Sequence, residues 1–454
     1  MKITTPIVDF IQTYIGKHPL RLHMPGHKGA SLLGFEAYDI TEVAGADSLY
    51  EAEGIIRESE SNASLLFGCP TYYSTEGSSQ CIRAMLYLVA LHAREQGSDR
   101  PLVLAGRNAH KTFLSAVGLL DLDVEWLYPE HEHGYLACPI SPHGLANELT
   151  RLETEGRLPT AVYLTSPDYP GNMVDIERLS AVCHDFGVLL VVDNAHGAYL
   201  HFLPDSRHPM DLGADLCCDS AHKTLPVLTG GAYLHIGAHL PMELKSQAKQ
   251  ALALFGSTSP SYLILQSLDA VNALLASQDY ASSLTEMAKR VEACRIKLYE
   301  HGLHAPANDE PLKLTLYPHH HGYTGIEVAQ YLRERNIECE FADPDHVVLM
   351  FTPAITDGDM ERLTEVLLSL PRRAPLFLCP PPLVPPERVT TVREALLSPS
   401  EELPVTECVG RVLAAATVGC PPAVPIVVSG ERIDESALAC FSYYGVEFCR
   451  VITE

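Results

Sequence analysis

GVLLVVDNAHG occupies residues 187–197, and its reading decides the fold. The run Val188–Val192 is apolar without interruption, and it ends at Asp193. A half-exposed strand alternates apolar and polar residues. A short strand lacking that alternation has both faces covered, as in a parallel sheet flanked by helices. PLVLAG (101–106), AVYLTSP (161–167) and DLCCDS (215–220) carry the same signal. Apolar residues at helical spacing lie between them, as in SSQCIRAMLYLVALHAREQ (78–96). Strands and helices in alternation predict an α/β fold with a mainly parallel sheet.

A chain of 454 residues exceeds one ordinary hydrophobic core, so several domains are expected. Residues 1–60 read as an arm. A short helix spans about 6–16, and Gly, Pro and polar residues then predict loops through RLHMPGHKGA and DITEVAGADSLYEAEGII. Residues 61–275 hold the α/β pattern. Residues 276–370 read as a smaller α+β domain. It starts with the helical stretch YASSLTEMAKRVEACRIKLYEHG (280–302) and includes the hairpin-like IECEFADPDHVVLMFT (337–352). The proline-rich PRRAPLFLCPPPLVPP (371–386) opens a last α+β module, 371–454.

The net charge of −25, from 32 basic and 57 acidic residues, argues against nucleic acid or an anionic membrane as partner. It suits a small cationic substrate. No apolar run reaches about 18 residues, so no membrane span is expected. The first 25 residues are amphipathic and do not read as a signal peptide. The 13 cysteines are scattered, with no C-x-x-C, which predicts reduced thiols in a cytoplasmic protein and no metal site. PHHHG (318–322) lacks the i, i+4 spacing of paired ligands and predicts solvent-exposed histidines.

Three features carry chemistry. STEGSSQ (74–80) opens a helix with small hydroxyl residues and a glycine, a pattern that suits an anion at the free N–H groups. Asp193 ends a buried strand, where ligands of open α/β sheets bind. Lys223, in DSAHKTLPVLTGGAYLH (219–235), sits between an apolar run and a Gly-Gly turn, where an amine must be paired or lose its charge. Taken singly, these are a helix cap, a turn former and a surface lysine. Taken in this order, they describe a site for pyridoxal phosphate: a phosphate cradle, an acid for the pyridine nitrogen, and an amine that forms an imine with the aldehyde.

Seven blocks carry a resemblance. HMPGHKG (23–29), TEVAGADSLYEAEGII (41–56), RNAHKT (107–112), DNAHGAYLHF (193–202), DSAHKTLPVLTGGAYLH (219–235), STSPSYLILQSLD (257–269) and GCPPAVPIVVSGERI (419–433) together resemble the Orn/Lys/Arg decarboxylases. The likeness is to the shorter form of that family, without its N-terminal wing domain. It implies the pyridoxal-phosphate transferase fold of type I. Lys223 is then the imine-forming lysine, and Asp193 the partner of the pyridine nitrogen. His110 stacks on the ring and His196 lies beside it. Ser78, Ser79 and Ser220 hold the phosphate, with His222 next to it or near the reacting carbon. Thr258 reaches a phosphate in the partner subunit of a homodimer. His222 or Lys223 returns the proton. The reaction implied is decarboxylation of arginine, lysine or ornithine to agmatine or a diamine, within polyamine metabolism, with arginine placed first by analogy.

A long cationic side chain needs a distal carboxylate. Asp47, Glu53 and Glu340 are candidates, and each alone also reads as a solvated acid. His23 and His27 read equally as entrance residues or as packing. The chain departs from the family pattern at Glu76 (usually Asn), Asn194 (Glu), Tyr199 (His), Cys420 (Tyr) and Ala423 (Gly). A carboxylate at 76, beside the cradle, is unfavourable unless it faces away or takes a proton. These departures keep two alternatives open: another pyridoxal-phosphate reaction, such as an aminotransferase or lyase, or a cofactor-binding homologue with little catalysis and a regulatory role.

Overall fold

The computed structural model describes residues 3–129, 134–382, 384–415 and 423–453. Contacts divide the chain into two compact units: Met1–Ser98 with Ile176–Ser283, and Asp99–Asp175 with Leu284–Glu454.

Seven strands form the main sheet: β1 (Thr71–Ser74), β2 (Leu102–Gly106), β3 (Asp123–Leu127), β4 (Ala161–Thr165), β5 (Leu189–Asp193), β6 (Leu216–Asp219) and β7 (Ala232–Ile236). Their order is β1-β7-β6-β5-β4-β2-β3. β5 pairs parallel with β6, and β2 pairs parallel with β3 and β4. β7 runs antiparallel to both β1 and β6. The mainly parallel α/β sheet is therefore present, with a reversed strand that the apolar runs did not announce. The helices of the first unit include α1 (Pro6–Gly16), α2 (Ile55–Phe67) and α3 (Gly77–Glu95). α3 buries Cys81, Ile82, Met85, Leu88 and Val89 at helical spacing.

The second unit carries two small antiparallel sheets. β8 (Lys313–Leu316), β9 (Phe341–Ala342) and β10 (Val347–Met350) are ordered β8-β10-β9, so the expected hairpin is there. β11 (Ser400–Pro404), β12 (Leu413–Ala415) and β13 (Phe448–Ile452) are ordered β11-β13-β12 over a core of Leu413, Ile433, Phe441 and Val451. Two of the quoted blocks interlock here. Arg107 of RNAHKT is buried against Glu431 of GERI at 3.1 Å and also donates to the carbonyls of Pro425 and Ile426.

Two expectations are corrected. The loop expected through DITEVAGADSLYEAEGII stops two residues early, because α2 begins at Ile55. The Asp47 carboxylate, on a backbone at φ +72°, accepts N–H groups of Ser48, Glu53, Gly54 and Ile56, so it organises the turn that starts the helix. These bonds outweigh burial and hold the Asp47 carboxyl below its ordinary range. The histidines of PHHHG are not all exposed either. His321 is buried with Nε2 on the Leu370 carbonyl, and His319 is half-buried on the Pro344 carbonyl. A chain that turns directly off the end of a buried strand tucks its side chains inward. Only His320 of the three is exposed.

The twelve described cysteines are free, and Cys420 lies outside the described residues. Among the described residues no helix is long and apolar enough to cross a membrane. Ala423 sits at φ +56°, a conformation that favours glycine, while its carbonyl accepts the Lys111 N–H at 2.8 Å. We expect Ala423→Gly to stabilise the protein by about 0.5–1 kcal/mol, the left-handed strain less the entropy of glycine. Urea unfolding midpoints check this.

Candidate active site

Parallel pairing brings the carboxyl ends of β5 and β6 together, with Asp193 opposite Cys218. Asp193 is 2 % exposed, and its Oδ1 accepts the Ala195 N–H at 3.2 Å. The chain leaving β5 places His196, and the chain leaving β6 enters the one-turn helix Ala221–Thr224. Lys223 Nζ thereby comes within 3.2 Å of His196 Nε2, a hydrogen-bond distance. His222 is fixed from both ends, since its backbone N–H and its Nδ1 both meet the Gly231 carbonyl, at 3.1 and 3.0 Å.

Ser220 Oγ donates to Ser78 Oγ at 2.7 Å, joining the start of the lysine loop to the start of α3. The N-cap residue Glu76 makes no side-chain cap at that end of α3, and a helix start of this kind favours an anion. Ser79 lies on the same turn and is half-buried. The Gly-Gly turn closes against this end: the Gly77 N–H donates to the Gly230 carbonyl at 2.7 Å. Gly230 has φ +100°, and a Cβ there would meet the Thr75 carbonyl oxygen at 2.9 Å. Only glycine allows that approach.

Glu76 does not burden the cradle. Its Oε1 accepts the Ser257 N–H, so the carboxylate is spent on the STSP loop. Thr258, next in that loop, is exposed. Tyr199 is fully buried. Asn194 is fully buried too, and it points to a group the motif reading missed. Its Nδ2 donates to Asp219 Oδ1 at 2.7 Å, while Asp219 Oδ2 is 3.0 Å from both His208 Nε2 and His235 Nε2. Asp219, His208 and His235 are all 0 % exposed. Burial pushes the Asp219 carboxyl up. The two imidazoles outweigh it and hold the carboxyl well below the usual range. This cluster ties the residue after Asp193 to the residue before Ser220. The signal for it was an acid ending the apolar run LCCD, where a turn former was equally expected.

The other candidates fall as follows. His110 is in the second unit and caps the helix Lys111–Leu120, where its Nδ1 accepts the Thr112 N–H at 3.1 Å. Glu340, also in that unit, accepts the Tyr169 hydroxyl at 2.7 Å. Glu53 is exposed. Asp47 is committed to backbone N–H groups. Asp47→Ala is expected to cost about 0.5–2 kcal/mol, as for a lost helix cap, and to leave KM unchanged. Thermal melts and steady-state rates check this. His23 bonds the Tyr14 hydroxyl and His27 pairs with Asp39, so both pack within the arm.

The donors present fit pyridoxal phosphate. A hydroxyl pair at an open helix start and a glycine-only backbone approach suit a phosphate. A buried carboxylate suits a protonated ring nitrogen, and a held amine suits an aldehyde. Comparison with known proteins agrees. Residues 5–313 match the Orn/Lys/Arg decarboxylase major domain, and residues 383–448 match the C-terminal domain of the same family. The arginine decarboxylases of Bacillus subtilis (strain 168) and Halalkalibacterium halodurans are each 28% identical, over 96% of this chain and 92% of theirs. The lysine decarboxylase LdcF of Francisella novicida has a similar structure, with a TM-score of 0.80 at 17% identity, covering 99% of this chain and 81% of that one. The fold is that of the type I pyridoxal-phosphate enzymes, and this chain belongs to the Orn/Lys/Arg decarboxylase family.

Proposed function

We propose that this chain is a pyridoxal-phosphate-dependent decarboxylase of a basic amino acid, acting in the cytoplasm as a homodimer and supplying amines to polyamine metabolism. Arginine is the first substrate to test, because the relatives that align over nearly the whole chain are named arginine decarboxylases. The observation that carries the reading is the loop Ser220–Lys223, which holds a hydroxyl on Ser78 and an amine on His196 within four residues. The division into an arm (1–60), a cofactor-binding domain (61–275), a small domain (276–370) and a C-terminal module (371–454) is part of the same proposal.

The cofactor, when bound, supplies an aldehyde for amines and a ring that takes up the electron pair left as CO₂ departs. The chain does the rest. Ser78, Ser79, Ser220 and the open start of α3 take the phosphate. Asp193, buried at the end of β5, keeps a nitrogen facing it protonated. Lys223 Nζ is the amine that would hold the aldehyde, and as a free amine it would carry a proton. His196 positions that amine. His222 is the second candidate acid, held in one orientation by Gly231. The family likeness assigns His110 to the cofactor ring and Thr258 to the phosphate of a second copy. Glu340 and Glu53 are the acids proposed for the distal cation of the substrate. Asp47 is not among them, since its oxygens are occupied.

Glu76, Asn194 and Ala423 motivated a non-catalytic reading. Glu76 and Asn194 each have a local partner, and Ala423 keeps its backbone bond to Lys111, so that reading is not favoured. The test is spectral. Cofactor-loaded protein is expected to absorb in the visible, and the band is expected to shift with one of arginine, lysine or ornithine. A loaded protein whose band ignores all three contradicts the substrate class.

A further inference from the structure

A cavity of about 690 Å³ lies wholly within the second unit, and no residue assigned above to the Lys223 site lines it. Its walls include Tyr135, Tyr317 and Tyr444, with Asp343 and His346 among them. Tyr135 and Tyr444 meet edge to face at 4.6 Å between centroids, and Tyr317 meets His346 in the same way at 4.7 Å. Burial comes first and the charges of nearby carboxylates second in raising the phenol of Tyr317 to about 12, and those of Tyr135 and Tyr444 higher still. All three rings therefore stay neutral.

The two acids here have imidazoles as their basic neighbours, and Asp343 is the one that lines the cavity. Asp343 and Asp345 are each 6 % exposed and two residues apart. Asp343 accepts the backbone N–H groups of Asp345 and His346, and the His346 imidazole lies 3.1 Å away. Asp345 takes the hydroxyls of Tyr443 and Tyr444, with His319 at 3.8 Å. Among the described residues that line the cavity, none is lysine or arginine. A cation placed over the tyrosine rings beside the buried Asp343 carboxylate gains from both.

We propose that this cavity is a second binding site, one that takes an organic cation of the ammonium or guanidinium class. The volume is that of a small-molecule pocket and far exceeds a bare ion. The aromatic walls recognise an alkyl chain ending in a charge, and Asp343, on the wall, holds the charge. The inference stands on this cavity alone and does not require the reaction proposed above.

The test is calorimetric titration of the cofactor-loaded protein with agmatine and with 1,5-diaminopentane. Two variants probe the cavity. Asp343→Asn removes a charge while keeping an acceptor for the loop. Ala307→Trp, at an exposed position on the rim, fills the space without touching the acids. We expect a class of binding present in the native protein to weaken by about 10-fold or more in Asp343→Asn, the size of one lost charge contact, and to vanish in Ala307→Trp. Titrations of both variants that superimpose on the native protein overturn the proposal. So does heat from MnCl₂ that Asp343→Asn abolishes and Ala307→Trp leaves intact, since that assigns the acids to a metal ion. A protein that releases no CO₂ from any basic amino acid, yet loses amine binding in both variants, sustains this inference and contradicts the proposed reaction instead.

Discussion

Lys223→Ala protein, loaded with pyridoxal phosphate and then desalted, is expected to retain no visible absorbance and to lose decarboxylation by about 10²–10⁴-fold or more. The expectation follows from placement. Lys223 is half-buried on a one-turn helix, with Nζ 3.2 Å from a histidine that is itself 4 % exposed. A surface lysine has no reason to be held there. The alanine variant removes the amine and leaves Ser220, Ser78 and the start of α3 in place, so phosphate affinity persists while covalent attachment fails. Added methylamine or ethylamine is expected to restore part of the rate, because only an amine is missing. A desalted variant that keeps its band contradicts the assignment of Lys223.

Asp219→Leu is expected to lower stability by about 3–5 kcal/mol, the cost of removing one member of a buried charged network. Two imidazoles and the Asn194 amide lose their acceptor at a place with no access to water. Asp219→Asn keeps the shape and one acceptor, so a smaller loss is expected. The carboxyl has a lower pKa folded than unfolded, so its stabilising contribution is present above about pH 4 and is lost as pH falls below that. Urea unfolding at pH 7 and below pH 4 checks both points. The native protein should exceed Asp219→Asn by more at pH 7 than in acid. Equal stabilities of native protein and Asp219→Leu at pH 7 would show that the cluster does not hold the ends of β5 and β6.

Much of the fold is legible because burial on both faces leaves a mark in composition. Strands such as Leu189–Asp193 and Leu216–Asp219 are unbroken apolar runs up to a final aspartate, and the sequence places them within a residue or two. β1 and β7 left weaker marks. TYYS is four residues between a Cys-Pro turn and a helix start, and AYLHI straddles the end of the lysine block, where its histidine hides a strand. Side-chain commitments were the least legible. Asp47 reads as a free acid until the five-residue turn after it brings Glu53 and Gly54 back to its oxygens. His208 and His235 lie 27 residues apart in the sequence (235 − 208) and meet edge to face beside Asp219, which both bond, a pairing no local pattern encodes. Glu76 looked hostile to the phosphate cradle, and the Ser257 N–H removes the difficulty.

The most direct test of the central claim is CO₂ release by purified, cofactor-loaded protein given arginine, lysine or ornithine separately, with the Lys223→Ala variant alongside. The account predicts release from one of the three, arginine first, with formation of the matching amine and none from the variant. Loaded protein that shows its visible band and releases CO₂ from none of them contradicts it.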